Sequence, residues 1–93
     1  MPDSSQRVVI TGMGAISPFG SGVSNYFTGL REGRSGVRRL SLVDDPALAS
    51  QVAGEVPDFN PSTHMQASDI PRVPRLVPMA VGAAREALRD AGI

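Results

Sequence analysis

Cysteine is absent from the 93 residues of the chain, which excludes disulfides, thiolate metal sites and a cysteine nucleophile within them. Nine basic and nine acidic side chains cancel, so the charge indicates neither nucleic acid nor an anionic membrane as a partner. No apolar run approaches the roughly 20 residues of a membrane span. Residues 1–6 are polar and lack a signal-peptide pattern, so we expect them to be disordered and the protein to be cytoplasmic.

Large apolar side chains are also scarce. Aromatic residues make up 4% of the chain, and 10 glycines and 8 prolines reduce the number of positions that favour regular elements. A domain of this length leaves roughly 40% of its unfolded surface exposed even when it is folded. We therefore predict that the chain is incomplete on its own and packs against a larger body.

The chain opens on a predicted buried strand followed by a glycine turn. Residues 8–10, Val-Val-Ile, are consecutive β-branched residues, a run typical of a central strand in an α/β sheet. Gly12 and Gly14 follow, and Gly-x-Gly after a strand is also how a dinucleotide-binding fingerprint begins. The third glycine of that fingerprint is missing, because its position holds Ser17. A small nucleotide-binding module stays open as an alternative.

The next element is a predicted helix over residues 23–31. Ser21 or Gly22 serves as its N-cap, and Gly33 stands where a left-handed residue ends a helix. Three apolar residues of this helix form one stripe, which we expect to pack on the sheet: Val23, Phe27 and Leu30.

A second helix is predicted over residues 79–91. Pro78 fits its first turn, where the missing N–H has no intrahelical partner, and Gly92 ends it. One face has only small side chains, so another element can approach the backbone closely there: Ala80, Ala84, Ala87 and Ala91. The charged residues mark a solvent-exposed face: Arg85, Glu86, Arg89 and Asp90.

The segment between the helices is predicted to hold a short strand at residues 51–56, together with turns. Arg38 and Arg39 point to opposite faces if their stretch is extended. The Asp44-Asp45 pair indicates a turn or a helix cap, since no third ligand accompanies it to bind a metal. His64 is the only histidine, and its polar surroundings predict a surface residue.

Four blocks of the sequence together resemble the β-ketoacyl-acyl carrier protein synthases of the type II elongating class. They follow the family's order and cover nearly everything after residue 6, whereas a chance similarity would reproduce one block. The blocks are RVVITGMGAISPFG at residues 7–20, LREGRSGV at 30–37, VAGEVPDFNP at 52–61 and AREALRDAG at 84–92.

The resemblance implies an α/β fold in which residues 1–93 are the N-terminal part of a thiolase-type αβαβα body, usually a homodimer. In that family a cysteine and two histidines beyond the matched region catalyse decarboxylative condensation of malonyl-acyl carrier protein with an acyl thioester, in fatty acid or polyketide biosynthesis. Residues 1–93 are therefore expected to hold no catalytic residue, cofactor or metal and to be inactive alone. A catalytically silent homologue, such as the chain-length partner subunit of a ketosynthase heterodimer, stays open as an alternative.

Acyl carrier protein is the partner that the resemblance implies. Related enzymes often carry several basic residues where the last helix begins, and this patch receives the acidic carrier protein. The corresponding stretch here, residues 67–75, is interrupted by prolines and retains Arg72 and Arg75. We expect these two side chains to contribute to docking through charge-assisted hydrogen bonds.

Overall fold

The computed structural model describes residues 4–93, which contain two helices and four short strands. The helices are α1 (Val23–Arg31) and α2 (Leu76–Asp90). The strands form two antiparallel pairs, β1 (Ile16–Ser17) with β2 (Gly20–Ser21) and β3 (Arg38–Arg39) with β4 (Val52–Ala53). Turns of 3-10 helix cover Ser4–Gln6, Pro61–Thr63 and Ile70–Arg72. Disorder is predicted for residues 1–6, and the first three of these lie outside the described residues.

The described residues form an elongated body. Its Cα radius of gyration is 16.9 Å, and its extents are 57 × 37 × 21 Å. A compact domain of this length has a radius of gyration of about 12 Å. Within residues 4–93, Val56 and Phe59 are the buried large apolar side chains, and Pro78 is fully enclosed. Residues 4–93 thus lack a continuous core of their own, as the composition predicts.

The strand predicted at residues 8–10 belongs to no sheet formed by residues 4–93, so this prediction is wrong for the described chain. Val8, Val9 and Ile10 are 94%, 64% and 84% exposed. A central strand needs hydrogen-bonded neighbours on both sides. The described residues supply none, and an apolar run suited to burial is left open to solvent.

Helix α1 has the predicted bounds. Gly22 is its N-cap, and Gly33, just beyond its C-cap, has a φ of +67°, a left-handed conformation that favours glycine. The apolar stripe of the helix does not pack on a sheet, because Phe27 and Leu30 are 46% and 52% exposed. That part of the prediction is wrong, since the described residues do not build the sheet on which the stripe would pack.

The strand predicted at residues 51–56 is confirmed as β4, shortened to two residues and paired with β3. The Glu55 carboxylate continues this pairing, because its two oxygens accept the backbone N–H groups of Ser41 at 2.8 Å and Leu42 at 2.9 Å. These hydrogen bonds, that from Leu42 above all, lower the pKa of Glu55. The pair of short strands is therefore held at one end by a charged side chain.

Helix α2 begins three residues before the predicted start, with Pro78 in its first turn and Gly92 beyond its end at a φ of +80°. The predicted close approach to its small-residue face is confirmed at Ala87 and Ala91, which contact the glycine segment described below. Ala84 is exposed instead, as is Ala80. The contact therefore lies further round the helix than the predicted stripe.

Candidate functional site

The glycine turn packs directly on the backbone of α2. A Cβ atom at Gly12 would overlap the carbonyl oxygen of Ala87, and one at Gly14 would overlap the carbonyl oxygen of Ala83. Residues 12–15 thus lie as close to the helix as main chain allows, and we call them the glycine segment. Only glycine fits at these two positions, because any side chain would push the segment away from the helix.

Two acidic side chains of α2 bind the main chain of this region. Glu86 accepts the N–H of Ala15 through one carboxylate oxygen at 2.9 Å and the N–H of Val23 through the other at 3.0 Å. Asp90 accepts the N–H of Met13 at 3.1 Å. Val23 is the first residue of α1, so Glu86 caps that helix from another element, in place of the side-chain cap that Gly22 lacks.

The prediction that this charged face is only solvated is therefore wrong for Glu86 and Asp90. Their i, i+4 spacing places both on one side of α2, toward the segment whose backbone donors they bind. The sequence contains part of this signal. Two acidic residues lie one turn apart on α2, and α1 begins after Gly22, which has no side chain to cap the helix. The sequence does not show which N–H groups the two acids bind.

A tight hairpin joins the glycine segment to α1. Strands β1 and β2 flank Pro18 and Phe19, with Ser17 paired to Gly20, and the hydroxyl of Ser17 accepts the N–H of Phe19 at 3.2 Å. Phe19 fills the space above Gly29, where an added Cβ would lie 2.5 Å from the ring. The hairpin therefore reverses the chain direction just before α1, and Phe19 packs the hairpin against that helix.

This geometry does not fit the dinucleotide alternative. In that fingerprint the glycines bring the backbone close to a pyrophosphate, and the start of the next helix faces the phosphates. Here Gly12 and Gly14 face the α2 backbone. The first N–H of α1 is bound by the Glu86 carboxylate, a negative charge that would repel a phosphate at that place. We therefore set the nucleotide-binding alternative aside.

The two predicted docking residues have different surroundings. Arg72 is exposed, and its guanidinium makes no hydrogen bond or ion pair with the residues that the structure describes. Arg75 donates to the carbonyl oxygens of Val56 at 2.6 Å and Phe59 at 3.3 Å, and its guanidinium lies 5.4 Å from the centroid of the Phe59 ring. Arg75 thus holds the turn that leads away from β4.

His64 is half-buried, so the prediction of a surface residue is wrong. Its ring stacks on Phe59 with centroids 5.8 Å apart and an interplanar angle of 15°. A Cβ atom at Gly82 would lie 2.8 Å from its Nε2 atom, so the absence of a side chain there makes room for the imidazole. The sequence places His64 in a polar stretch and gives no sign that α2 receives it.

The described part of the chain holds neither a metal-binding cluster nor a membrane-spanning helix. Residues 4–93 contain no group of three or more histidine, aspartate or glutamate side chains arranged to hold a metal ion. Neither α1 nor α2 is long and apolar enough to cross a bilayer, and no other helix in residues 4–93 is.

Comparisons with known proteins agree on one family. The family model described as "Beta-ketoacyl synthase, N-terminal domain" matches residues 5–93. A "Putative polyketide beta-ketoacyl synthase 1" of Streptomyces halstedii is 43% identical over 90 residues, covering 96% of this chain and 21% of that protein. A "3-oxoacyl-[acyl-carrier-protein] synthase 2" of Coxiella burnetii is 38% identical over 88 residues, with coverages of 95% and 21%.

A solved structure gives the same result. "The ishigamide ketosynthase/chain length factor" is similar to this chain with a TM-score of 0.76 and 43% sequence identity, over 91% of this chain and 21% of that one. The chain therefore spans about a fifth of the length of the relatives that it matches.

Proposed function

The chain belongs to the β-ketoacyl synthase family, as its N-terminal domain, and on this premise we propose that the intact protein is a 3-oxoacyl-acyl carrier protein synthase. The premise also identifies the fold as the N-terminal part of a thiolase-type α/β body. The reaction is decarboxylative condensation of malonyl-acyl carrier protein with an acyl thioester, in fatty acid or polyketide biosynthesis. The observation that carries the proposal is the family match over residues 5–93.

In the proposed reaction, a cysteine thiolate first attacks the carbonyl of the acyl thioester; the acyl group passes to the cysteine as a new thioester, and the thiol that carried it leaves. Loss of CO2 from the malonyl group breaks a carbon–carbon bond and leaves a carbanion, which two histidines assist by stabilising the enolate oxygen. The carbanion attacks the thioester carbonyl, a new carbon–carbon bond forms, and the cysteine leaves as thiolate. The absence of cysteine from residues 1–93 assigns the nucleophile to residues outside them.

Residues 1–93 contribute architecture to this enzyme and are inactive alone. The exposed apolar run of Val8, Val9 and Ile10 supports this role, because such a run is suited to pairing inside a sheet. The exposed Phe27 and Leu30 of α1 support it as well. We propose that the remainder of the ketosynthase polypeptide covers both surfaces. The intact protein is proposed to be a cytoplasmic homodimer or ketosynthase heterodimer.

Acyl carrier protein is the proposed macromolecular partner. Arg72 is the better placed of the two docking residues, because its guanidinium is exposed, and the described residues offer it no carboxylate within 4 Å. The guanidinium of Arg75 is engaged by two carbonyl oxygens, so its contribution to docking is indirect, through the position of the Val56–Phe59 turn.

A silent partner subunit is the second candidate. The solved structure that this chain resembles is described as a ketosynthase/chain length factor. In this case the intact protein keeps the fold and lacks the cysteine nucleophile.

A condensation assay separates the two candidates. The intact protein, expressed from its natural gene, is incubated with a carrier protein loaded with an acyl group and a carrier protein loaded with malonyl. The CO2 and the 3-oxoacyl product are measured, with and without prior alkylation of the protein by iodoacetamide. An enzyme releases both products in equal amounts and loses activity on alkylation. A silent partner forms no product alone and supports formation only when a cysteine-bearing ketosynthase is added. Failure of both mixtures to form product contradicts the proposed function.

A further inference from the structure

One serine of the chain follows a pair of arginines on an exposed strand. Residues 38–42 are Arg-Arg-Leu-Ser-Leu, and no other serine or threonine of the chain has arginines two and three residues before it. Strand β3 consists of Arg38 and Arg39, and both are exposed. Ser41 is exposed as well, and it lies in the loop that leads from β3 to β4. The hydroxyl group therefore lies on the surface of the described residues, shortly after two cationic side chains.

The side chain of Glu55 holds this serine in place. One carboxylate oxygen accepts the main-chain N–H of Ser41 at 2.8 Å and its hydroxyl at 3.0 Å. The other oxygen accepts the N–H of Leu42 at 2.9 Å. Because all three hydrogen bonds end on one carboxylate, the start of the loop depends on a single negatively charged group.

We propose that Ser41 is a phosphorylation site for a serine kinase that selects basic substrates, and that the phosphate releases the loop from Glu55. Such a kinase recognises its substrate by charge, through acidic groups that pair with the arginines before the serine. In the reaction the hydroxyl oxygen of Ser41 attacks the γ-phosphorus of a nucleoside triphosphate and forms a new P–O bond. The bond from this phosphorus to the bridging oxygen breaks, the nucleoside diphosphate leaves with the electron pair, and the hydroxyl proton passes to a carboxylate of the kinase.

The phosphate group opposes the contact with Glu55 in two ways. A phosphorylated serine has no hydroxyl proton, so the hydrogen bond from the Ser41 side chain to the carboxylate is lost. The new group also carries a charge of about −1.5 to −2 near neutral pH. The Ser41 hydroxyl oxygen lies 3.0 Å from the carboxylate oxygen, and like charges this close repel each other. The two main-chain hydrogen bonds to Glu55 are therefore expected to open as well.

Phosphorylation of the intact protein tests the site. The protein is incubated with ATP, Mg²⁺ and the catalytic subunit of cyclic-AMP-dependent protein kinase, and its mass is measured before and after proteolysis. We expect one phosphate on the peptide that contains Ser41, absent in Ser41→Ala and retained in Ser68→Ala, which changes another exposed serine. The proposal is overturned if Ser41 of the intact protein takes up no phosphate. A synthetic peptide of residues 36–46 that is modified in parallel then assigns the failure to the fold and not to the sequence.

The two arginines are tested by the rate of the same reaction. R38Q/R39Q is expected to slow phosphate transfer to Ser41 by about tenfold or more, because charge-assisted hydrogen bonds to the kinase are lost. The matched control is R85Q/R89Q, which removes the same charge from exposed positions of α2 and should leave the rate unchanged. Equal rates in the two double variants would overturn recognition through the arginine pair.

Amide hydrogen exchange tests the release of the loop, and this measurement does not depend on condensing activity. In the phosphorylated intact protein, the Ser41 and Leu42 amides are expected to exchange about tenfold faster or more than in the unmodified protein. The control Ser41→Ala lacks the hydroxyl and keeps both main-chain donors to Glu55, so its exchange should change little. The release is overturned if phosphorylation leaves these exchange rates unchanged. It is equally overturned if Ser41→Ala exchanges as fast as the phosphorylated protein, since the charge would then have no part in it.

Discussion

Replacing Glu86 with alanine tests whether one carboxylate joins α2 to the start of α1. The natural side chain accepts two main-chain hydrogen bonds, from Ala15 at 2.9 Å and from Val23 at 3.0 Å. Alanine leaves both donors without their acceptor. Because one of them belongs to the first turn of α1, the change also removes the cap of that helix.

The expected cost follows from these two bonds. A hydrogen bond to a charged group contributes about 1.5 to 3 kcal/mol, and loss of a helix cap alone costs about 0.5 to 2 kcal/mol. Water reaches part of this half-buried site and can satisfy the donors in the variant. We therefore expect Glu86→Ala to weaken the contact by about 2 to 4 kcal/mol. Glu86→Gln, which keeps one acceptor oxygen, should lose about half as much.

Amide hydrogen exchange in the intact protein measures this change locally. Protection of the Ala15 and Val23 amides should fall by roughly thirty- to several-hundred-fold in Glu86→Ala. The control is Glu32→Gln, which removes the carboxylate of an ion pair whose side chains are 55% and 54% exposed. Exposed pairs contribute about 0 to 1 kcal/mol, so little change is expected. Unaltered protection of Ala15 and Val23 in Glu86→Ala would refute the reasoning.

Three further changes test other parts of the structure. Gly14→Ala should destabilise the protein by about 1 to 3 kcal/mol in a denaturant titration, because the new Cβ overlaps the α2 backbone. In the control Gly54→Ala the new Cβ meets one side-chain atom at 3.4 Å, so the loss of stability should be much smaller. Equal losses of stability in the two variants would disprove the close contact. The pKa of Glu55 lies below its usual 4.5 in the folded state. The Glu55 carboxylate therefore stabilises the folded state fully at pH values above 4.5, and this stabilisation is lost as the pH falls through the folded-state pKa. Melting curves from about pH 6 to about pH 3 should be less pH-dependent in Glu55→Gln, and identical profiles would exclude this role. Arg72→Glu should raise KM for carrier-bound substrate with little change in kcat, whereas Arg38→Glu should not; an unchanged KM removes Arg72 from the docking surface.

Helix ends were the most predictable part of the fold, because they depend on local chemistry. Gly33 and Gly92 both adopt the left-handed conformation expected after a helix, and Pro78 sits in the first turn of α2. Each of these residues favours its conformation whatever surrounds it. The bounds of α1 followed from the same kind of signal.

Tertiary partners could not be predicted in the same way. The pattern of residues 8–10 correctly describes a run suited to burial, yet no neighbouring strand exists within residues 4–93. The packed side of α2 was displaced from the predicted stripe, since Gly12 and Gly14 contact Ala83, Ala87 and Ala91 while Ala84 is exposed. Periodicity indicates which residues share a face, but the approach of a second segment determines which face is used.

The candidate site shows the same division. The charge of Arg75 predicts a docking residue, whereas in the structure its guanidinium donates to the carbonyl oxygens of Val56 and Phe59. The sequence pattern predicts a solvent-exposed face for Glu86 and Asp90, whereas both bind backbone N–H groups of the glycine segment. A charged side chain can form hydrogen bonds with a backbone group far away in sequence as readily as with water. Composition alone therefore does not distinguish a structural charged residue from a solvated one.

Covalent trapping tests the proposed activity most directly. The intact protein is incubated with an acyl thioester in the absence of malonyl-carrier protein, and its mass is measured before and after proteolysis. We predict a gain of one acyl group per chain, carried by a cysteine outside residues 1–93 and released when malonyl-carrier protein is added. A chain that acquires no acyl group, or acquires it within residues 1–93, would contradict the proposed condensing activity.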